Sequence, residues 1–458
     1  MVSGLSSVAD STAADKTSML WVCAALSDAD RAAARATANG VLDPAQTGPG
    51  AVVRMLDIPP AVFQRAYNAV ANSTLWFVHH MLYDTPNRPS FGSAFRREWE
   101  AFRSYNEMFA AALADAAQPG AAKAVIQDYH LCLAPRMLAS KAAGTRIAHF
   151  SHTPWAPPDY YRMLPAEVGC EVLAGILGAD HAGFLCQRWA DAFTDCCEAF
   201  LGAAVDRTKG QVSYAGHITS IGVHPLGVDA AQIRQRAAER DVQTRMEALA
   251  EATAGRKLIV RVDRTELSKN IVRGLAAYRE LLRARPQWRG KVVHVAFAYP
   301  SRHDLPEYRE YTAAVQRLAR EIADEFSSPG WDPLILEVND DYPRSLAACR
   351  LADVLLVNPI RDGMNLVAKE GPILSDRGCA LVLSTEAGAV AELGEHAFLV
   401  NLFDVLQTAE ALHQALSIDE AERSRRSAAL AAAAASMPPT RWFADQLTAL
   451  SGPHSGQR

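Results

Sequence analysis

The stretch Asn358–Pro372, "NPIRDGMNLVAKEGP", places Asp362 and Gly363 at the start of a helix that follows the apolar run Val354–Val357, and Glu370 further along that helix. A helix N-terminus carries unpaired N–H groups and about half a positive charge, which makes it a ready site for an anion. Gly363 lets a ligand approach the backbone closely. Asp362 can accept hydrogen bonds from sugar hydroxyls, and Glu370 from a second set such as those of a ribose. A capped helix with solvent-facing charges has the same spacing.

Four further clusters carry chemistry. "RVDRTELSKN" follows the apolar run "KLIV" and supplies Arg264 and Lys269 from one strand–helix loop. Two such cations suit a pyrophosphate, Arg by its fork and Lys as a point charge. "QDYHL" and "HFSHTPW" set Asp128 and His152 just past apolar strands, as acid–base machinery or as a sugar clamp. His149 and His152 share an H-x-x-H spacing without an evident third ligand, so a zinc site is not expected. "AYNAVANSTLW" brings Tyr67 and Trp76, and "YPSRHD" brings Arg302. Aromatic faces with cations suit a phosphorylated sugar. Core packing for the rings and a solvated loop for each charge are the competing readings. No P-loop and no G-x-G-x-x-G fingerprint is present.

These clusters need elements to hold them. Short apolar strands alternate with amphipathic helices: "MLWVCAAL", "AVVRML", "KAVIQ", "TRIAHF" and "HAGFL", then "KLIVRV", "KVVHVAFAY", "PLILEV", "ADVLLVN", "CALVLS" and "AFLVN". Helices are expected over Ser93–Ala117, Ala230–Ala252 and Asn270–Arg285. Such alternation signals parallel sheets covered on both faces, an α/β class. With 458 residues, two domains are expected. A break at "IGVHPLGVD" divides residues 19–225 from residues 226–436, and residues 437–458 form a last helix returning to the first domain. Residues 1–18 are read as a disordered tail. Two doubly wound domains then face across a cleft, with ligands beyond the strand carboxyl ends.

The bulk numbers exclude other classes. A net charge of −5 argues against general nucleic-acid binding. No apolar run is long enough to span a bilayer, and no signal peptide is evident, so a cytoplasmic enzyme is expected. The eight cysteines form no CxxC pair and read as reduced core thiols.

In this order the clusters resemble the trehalose-6-phosphate synthase family, retaining glycosyltransferases of the GT-B architecture. "RDGMNLVAKE" is the most specific match, and the resemblance spans roughly Ala61 to Leu450. It implies that Arg264 and Lys269 neutralise the donor diphosphate and that Glu370 holds the ribose. It gives the transferred glucose and diphosphate to Asp362, Gly363 and the amides of Met364, Asn365, Leu366 and Val367. Asp128 and His152 would contact sugar hydroxyls. Tyr67, Trp76 and Arg302 would bind glucose 6-phosphate. The resemblance implies no metal and no cofactor beyond the nucleotide-sugar substrate, and a homo-oligomer is compatible with it. Two departures stand out. "MLWVCAALSDADRAAAR" lacks the family's strand-ending Arg and the paired glycines after it, which makes Arg31 or Arg35 the substitute. "EVNDDYPRS", at the expected base-binding segment, adds Asp340 and Asp341 beside Tyr342, acceptors that match the N–H donors of guanine. The altered N-terminus also resembles the GDP-sugar branch that contains validoxylamine 7′-phosphate synthase. GDP-glucose and glucose 6-phosphate are therefore the expected substrates, with a pseudo-sugar transferase or a silent sugar-phosphate sensor as alternatives.

Overall fold

The computed structural model describes residues 19–42, 52–117, 122–302 and 305–451. The tail expected at residues 1–18 lies outside the described residues. The chain divides into two compact units after Pro225, and from Pro439 onward it rejoins the first.

In the first unit, β1 (Leu20–Ala24) and β2 (Val52–Leu56) pair in parallel as a separate two-stranded sheet. A six-stranded sheet follows. It holds β3 (Lys123–Gln127), β4 (Arg146–Ser151), β5 (His181–Phe184), β6 (Ala204–Asp206), β7 (Gln211–Tyr214) and β8 (His217–Val223) in the order β3-β4-β5-β8-β7-β6. β3, β4, β5 and β8 run parallel, and β7 and β6 complete the sheet antiparallel. β4 and β5 are buried almost throughout, as parallel strands covered on both faces must be. β6 and β7 had no counterpart among the expected strands. They are short and half-exposed, the pattern of an antiparallel edge with one face in water. The helix Pro439–Ala449 buries Trp442 edge-on against Phe150, with ring centroids 5.0 Å apart.

The second unit has one six-stranded sheet, all parallel. It contains β9 (Lys257–Arg264), β10 (Val292–Tyr299), β11 (Leu334–Glu337), β12 (Val354–Val357), β13 (Ala380–Ser384) and β14 (Phe398–Val400). The order is β11-β10-β9-β12-β13-β14. Counted from β9, this is the doubly wound order 3-2-1-4-5-6, whose direction reverses between β9 and β12. There the two strands pair only at Val354 with Ile259 and Leu355 with Val260. β9 then runs on to Arg264 without β12 beside it, so the strand ends leave room between them.

Two helices depart from expectation. The span Ala230–Ala252 is two helices, Ala230–Ala237 and Arg240–Thr253, broken where Glu239 turns extended at ψ 155°. Arg236 bridges the break by pairing with Glu239 at 3.2 Å and Asp241 at 2.7 Å. The helix expected to begin near Gly363 begins at Val367.

Candidate active site

In the second unit the site is built at the reversal between β9 and β12. Arg264 closes β9, and Lys269 follows in a short 3-10 turn, Leu267–Lys269. After β12, residues 358–366 form an extended loop that pairs with the loop after β13. The N–H of Asp362 donates to Glu386 O, and the N–H of Gly388 donates to Asp362 O. The close approach read into Gly363 is met here by a second glycine. A Cβ on Gly388 would stand 1.9 Å from the Gly363 carbonyl oxygen, so only glycine fits.

This pairing brings Asp362 onto Lys269, whose Nζ donates to Asp362 Oδ2 at 2.6 Å. Burial works to lower the Lys269 ammonium, but Asp362, Asp263 and Glu266 outweigh it and hold the pKa above its ordinary value. Asn365, at φ 74°, donates to Asp362 Oδ2 and accepts from the Ala368 N–H, so its side chain caps the helix Val367–Leu374. The N–H groups of Met364, Asn365, Leu366 and Val367 meet no acceptor among the described residues. Four unpaired donors and a helix end thus adjoin Asp362 and its partly buried partner Lys269. Glu370 is one turn into that helix, and burial pushes its carboxyl up to about 7.

Three more second-unit residues were expected at the base. Tyr342 is about half exposed, and its hydroxyl is raised first by burial and then by the Glu370 charge, which puts the two in one neighbourhood. Asp340 is exposed. Asp341 is not open in the way the sequence suggested. It caps the helix Tyr342–Leu351 through the Arg344 N–H, and Arg245 Nε donates to its two oxygens at 2.7 and 2.8 Å. Arg302, at φ 46°, donates to the Tyr308 hydroxyl at 2.8 Å and lies over its ring.

The first unit supplies a different set at the carboxyl ends of β3 and β4. Asp128 adopts φ 72° and ψ 170°, a conformation that costs a non-glycine residue roughly 1–3 kcal/mol and that gathers at functional sites. Its Oδ1 accepts from the backbone N–H of His152 at 3.2 Å. The imidazole of His152 does not pair with Asp128. Its Nε2 donates to Gln127 Oε1 at 2.7 Å, and burial lowers its pKa to about 3. Of the two roles read from the sequence, the acid–base dyad is not formed. His149 turns inward to the Asp128 carbonyl and is lowered to about 4 by burial. No three His, Cys, Asp or Glu groups among the described residues converge as metal ligands.

Tyr67 and Trp76 lie on one helical run from Pro60 to His79 whose middle, Gln64–Leu75, has π rather than α geometry. Such geometry is rare and recurs at functional sites. Tyr67 stacks on His130 at 4.8 Å, and His130 Nδ1 lies 3.9 Å from Asp128 Oδ2. Trp76 tilts toward Tyr129 at 5.9 Å, and the Tyr129 hydroxyl donates to Asn72 Oδ1. The structure therefore gathers Tyr67, Trp76, Asp128 and His152 around one pair of strand ends. Arg31 is not brought to them. It turns back on its own segment, to Asp28 at 3.5 Å and the Leu26 carbonyl, while Arg35 pairs with Asp57.

Sequence reasoning missed Gln127, His130, Arg261, Asp263, Glu266 and Gly388. All of them except Gly388 stand inside the motifs quoted above, but only contacts reveal what they hold. Glu266 is fully buried and accepts from Arg264 at 3.1 Å and from Ser301 at 2.9 Å.

A family model, glycosyltransferase family 20, matches residues 2–451. The chain belongs to glycosyltransferase family 20. It is 34% identical over 387 residues to the bifunctional trehalose-6-phosphate synthase/phosphatase of Thermoproteus tenax, covering 84% of this chain and 51% of that protein. It is 30% identical over 439 residues to the validamine 7-phosphate valienyltransferase of Streptomyces hygroscopicus subsp. jinggangensis, covering 95% of this chain and 86% of the other. The chain spans about half the length of the first curated relatives it matches. A solved structure described as trehalose-6-phosphate from E. coli bound with UDP-2-fluoro glucose superposes with a TM-score of 0.88 at 26% identity, covering 99% of this chain and 97% of that one. The fold of this family 20 member is GT-B.

Proposed function

We propose that this family 20 member is a retaining hexosyltransferase. It moves glucose from GDP-glucose to glucose 6-phosphate and gives α,α-trehalose 6-phosphate and GDP. The observation that carries the reading is Lys269 held against Asp362 at the β9–β12 reversal, beside four unpaired amides of the segment Met364–Val367. A partly buried cation and unpaired N–H donors next to it fit a departing diphosphate, which needs preorganised positive charge in the transition state. Arg264 adds a second cation to the same strand end. Glu370 takes the ribose hydroxyls, and Asp340 accepts from guanine.

Retention needs either a side-chain nucleophile or attack from the face of the leaving group. His152 is held neutral by burial and tied to Gln127, and the carboxylate beside it, Asp128, is engaged by the His152 amide. Front-face attack follows. The bond from the anomeric carbon to the phosphate oxygen breaks, the acceptor hydroxyl oxygen bonds to that carbon, and its proton passes to the departing phosphate oxygen. Asp128 and His152 orient hydroxyls, and Tyr67, Trp76 and Arg302 hold glucose 6-phosphate.

A second reading is supported by the near full-length likeness to a valienyltransferase and by the missing arginine and paired glycines after β1. In it the same site joins pseudo-sugars. Purified protein offered GDP-glucose with glucose 6-phosphate should release GDP. No release with this pair, together with release from a GDP-linked unsaturated cyclitol and validamine 7-phosphate, overturns the first reading in favour of the second.

A further inference from the structure

Beneath Lys269 lies a second cation that touches neither solvent nor the open face of the site. Arg261 is on the part of β9 that has no β12 partner, and its side chain is wholly buried. Its Nε and Nη2 donate to Asp263 Oδ2 at 3.1 and 2.7 Å. Nη2 also donates to the backbone carbonyl of Lys269 at 2.9 Å. The guanidinium fits only because position 274 is glycine, where a Cβ would stand 2.2 Å from Nη1 and 3.1 Å from Asn358 Oδ1. Neither of those two polar atoms has a hydrogen-bond partner among the described residues. A buried pair of this kind is not a cheap source of stability, because desolvation offsets most of its attraction. The pair does fix the main chain, through Nη2 on the Lys269 carbonyl.

We infer that Arg261 is a positioning residue for the donor diphosphate. It pins the main chain at Lys269 between β9 and β12, so that the ammonium stands where Asp362 and the amides of Met364–Val367 converge. It also keeps a third positive charge beside the carboxylates of Asp263, Glu266 and Asp362, which would otherwise outnumber Lys269 and Arg264. This rests on the donor-site reading proposed above.

The test separates holding from folding. Arg261→Met alone leaves Asp263 buried and uncompensated, so the pair is removed together in Arg261→Met/Asp263→Leu. Gly274→Ala displaces the guanidinium and leaves both ionic partners in the sequence. Each variant is checked for an intact thermal transition, then titrated with GDP and assayed for acceptor KM. We expect GDP affinity to fall about tenfold, equivalent to about 1.4 kcal/mol, in both folded variants, with acceptor KM unchanged. Arg261→Lys, which keeps the charge and loses the fork, should recover part of the loss. GDP binding within twofold of the parent in both folded variants overturns the inference alone. A parent protein that binds neither GDP nor UDP overturns the donor-site reading and this inference with it.

Discussion

The two sets of strand ends solve opposite electrostatic problems. At β9 and β12 the groups are ionic and matched: Lys269 with Asp362, Arg264 with Glu266, Arg261 with Asp263. At β3 and β4 they are rings and imidazoles around one carboxylate: Tyr67 on His130, His130 3.9 Å from Asp128, His152 on Gln127. A leaving diphosphate gains charge as the bond breaks, and fixed charges stabilise it without reorganisation. In the proposed reaction the attacking hydroxyl needs positioning rather than charge, which shape and hydrogen bonds supply. On the proposed function, the difference separates stabilising the transition state from orienting what attacks.

The sharpest way to break this contrast is to remove a charge from one side and a ring from the other. Lys269→Ala and Arg264→Ala should each lower kcat/KM by about 10², a cost of roughly 3 kcal/mol. Steady-state kinetics with saturating glucose 6-phosphate measures it. Near-normal turnover in both variants removes the diphosphate role.

His152→Ala should cost less, about tenfold, because it removes an orienting contact rather than a charge. Its pH profile is the more telling readout. Burial holds the imidazole near 3, so it is neutral throughout the working range. The parent should therefore show no His152-dependent limb around the usual imidazole value, about 6.5, and the variant should neither gain nor lose one. A limb near that pH that vanishes with His152 would make it a base after all.

How far these regions could be read from sequence also differs. The six strands of the second unit are short apolar runs, and each was legible. The placement of Arg264, Lys269 and Asp362 at or just after strand ends was legible because charges next to an apolar strand stand out. Arg261 was not, since a charged residue inside a strand reads as an exposed position until its partners are seen. In the first unit the hairpin of β6 and β7 was missed because its half-exposed residues carry no continuous apolar run. The π geometry of Gln64–Leu75 leaves no usable period in the sequence, so the row Tyr67, His130, Asp128 had to be found in space. The engagement of Asp341 was not legible, because its N-cap role and the approach of Arg245, from another helix, are tertiary facts.

Glu370 tests the ionic side from within. Its carboxyl rises from an ordinary 4.5 to about 7 through burial. Between those values the folded protein keeps a proton that the unfolded chain has lost, so stability falls as pH rises through about 7. Glu370→Gln should flatten that dependence, raising Tm at pH 8 relative to the parent by the equivalent of about 1 kcal/mol. Ribose hydroxyls donate to the ionised form, so parent GDP affinity should rise through the same pH window and the variant's should not. A parent whose GDP affinity is flat from pH 6 to 8 separates Glu370 from the ribose.

Arg302→Ala should raise the acceptor KM about fivefold and leave GDP affinity unchanged, the size expected for one partly solvated phosphate contact. A fall in GDP affinity at constant acceptor KM would move Arg302 to the donor side.

An equally small effect is expected on base choice. Asp341 is held by Arg245 and by its own helix cap, which leaves exposed Asp340 as the carboxylate able to meet the N1–H and N2–H₂ donors of guanine. An exposed contact of this kind discriminates by about 1 kcal/mol, so Asp340→Asn should narrow a GDP-over-UDP preference by about fivefold. Arg245→Ala is the control. If Asp341 serves only as a cap, this change lowers Tm and leaves the GDP-to-UDP ratio alone. If Asp341 reads the base, freeing its oxygens from Arg245 should raise GDP affinity. Calorimetry of both nucleotides on the three proteins decides between them, and a parent that binds UDP as tightly as GDP removes base reading from both carboxylates.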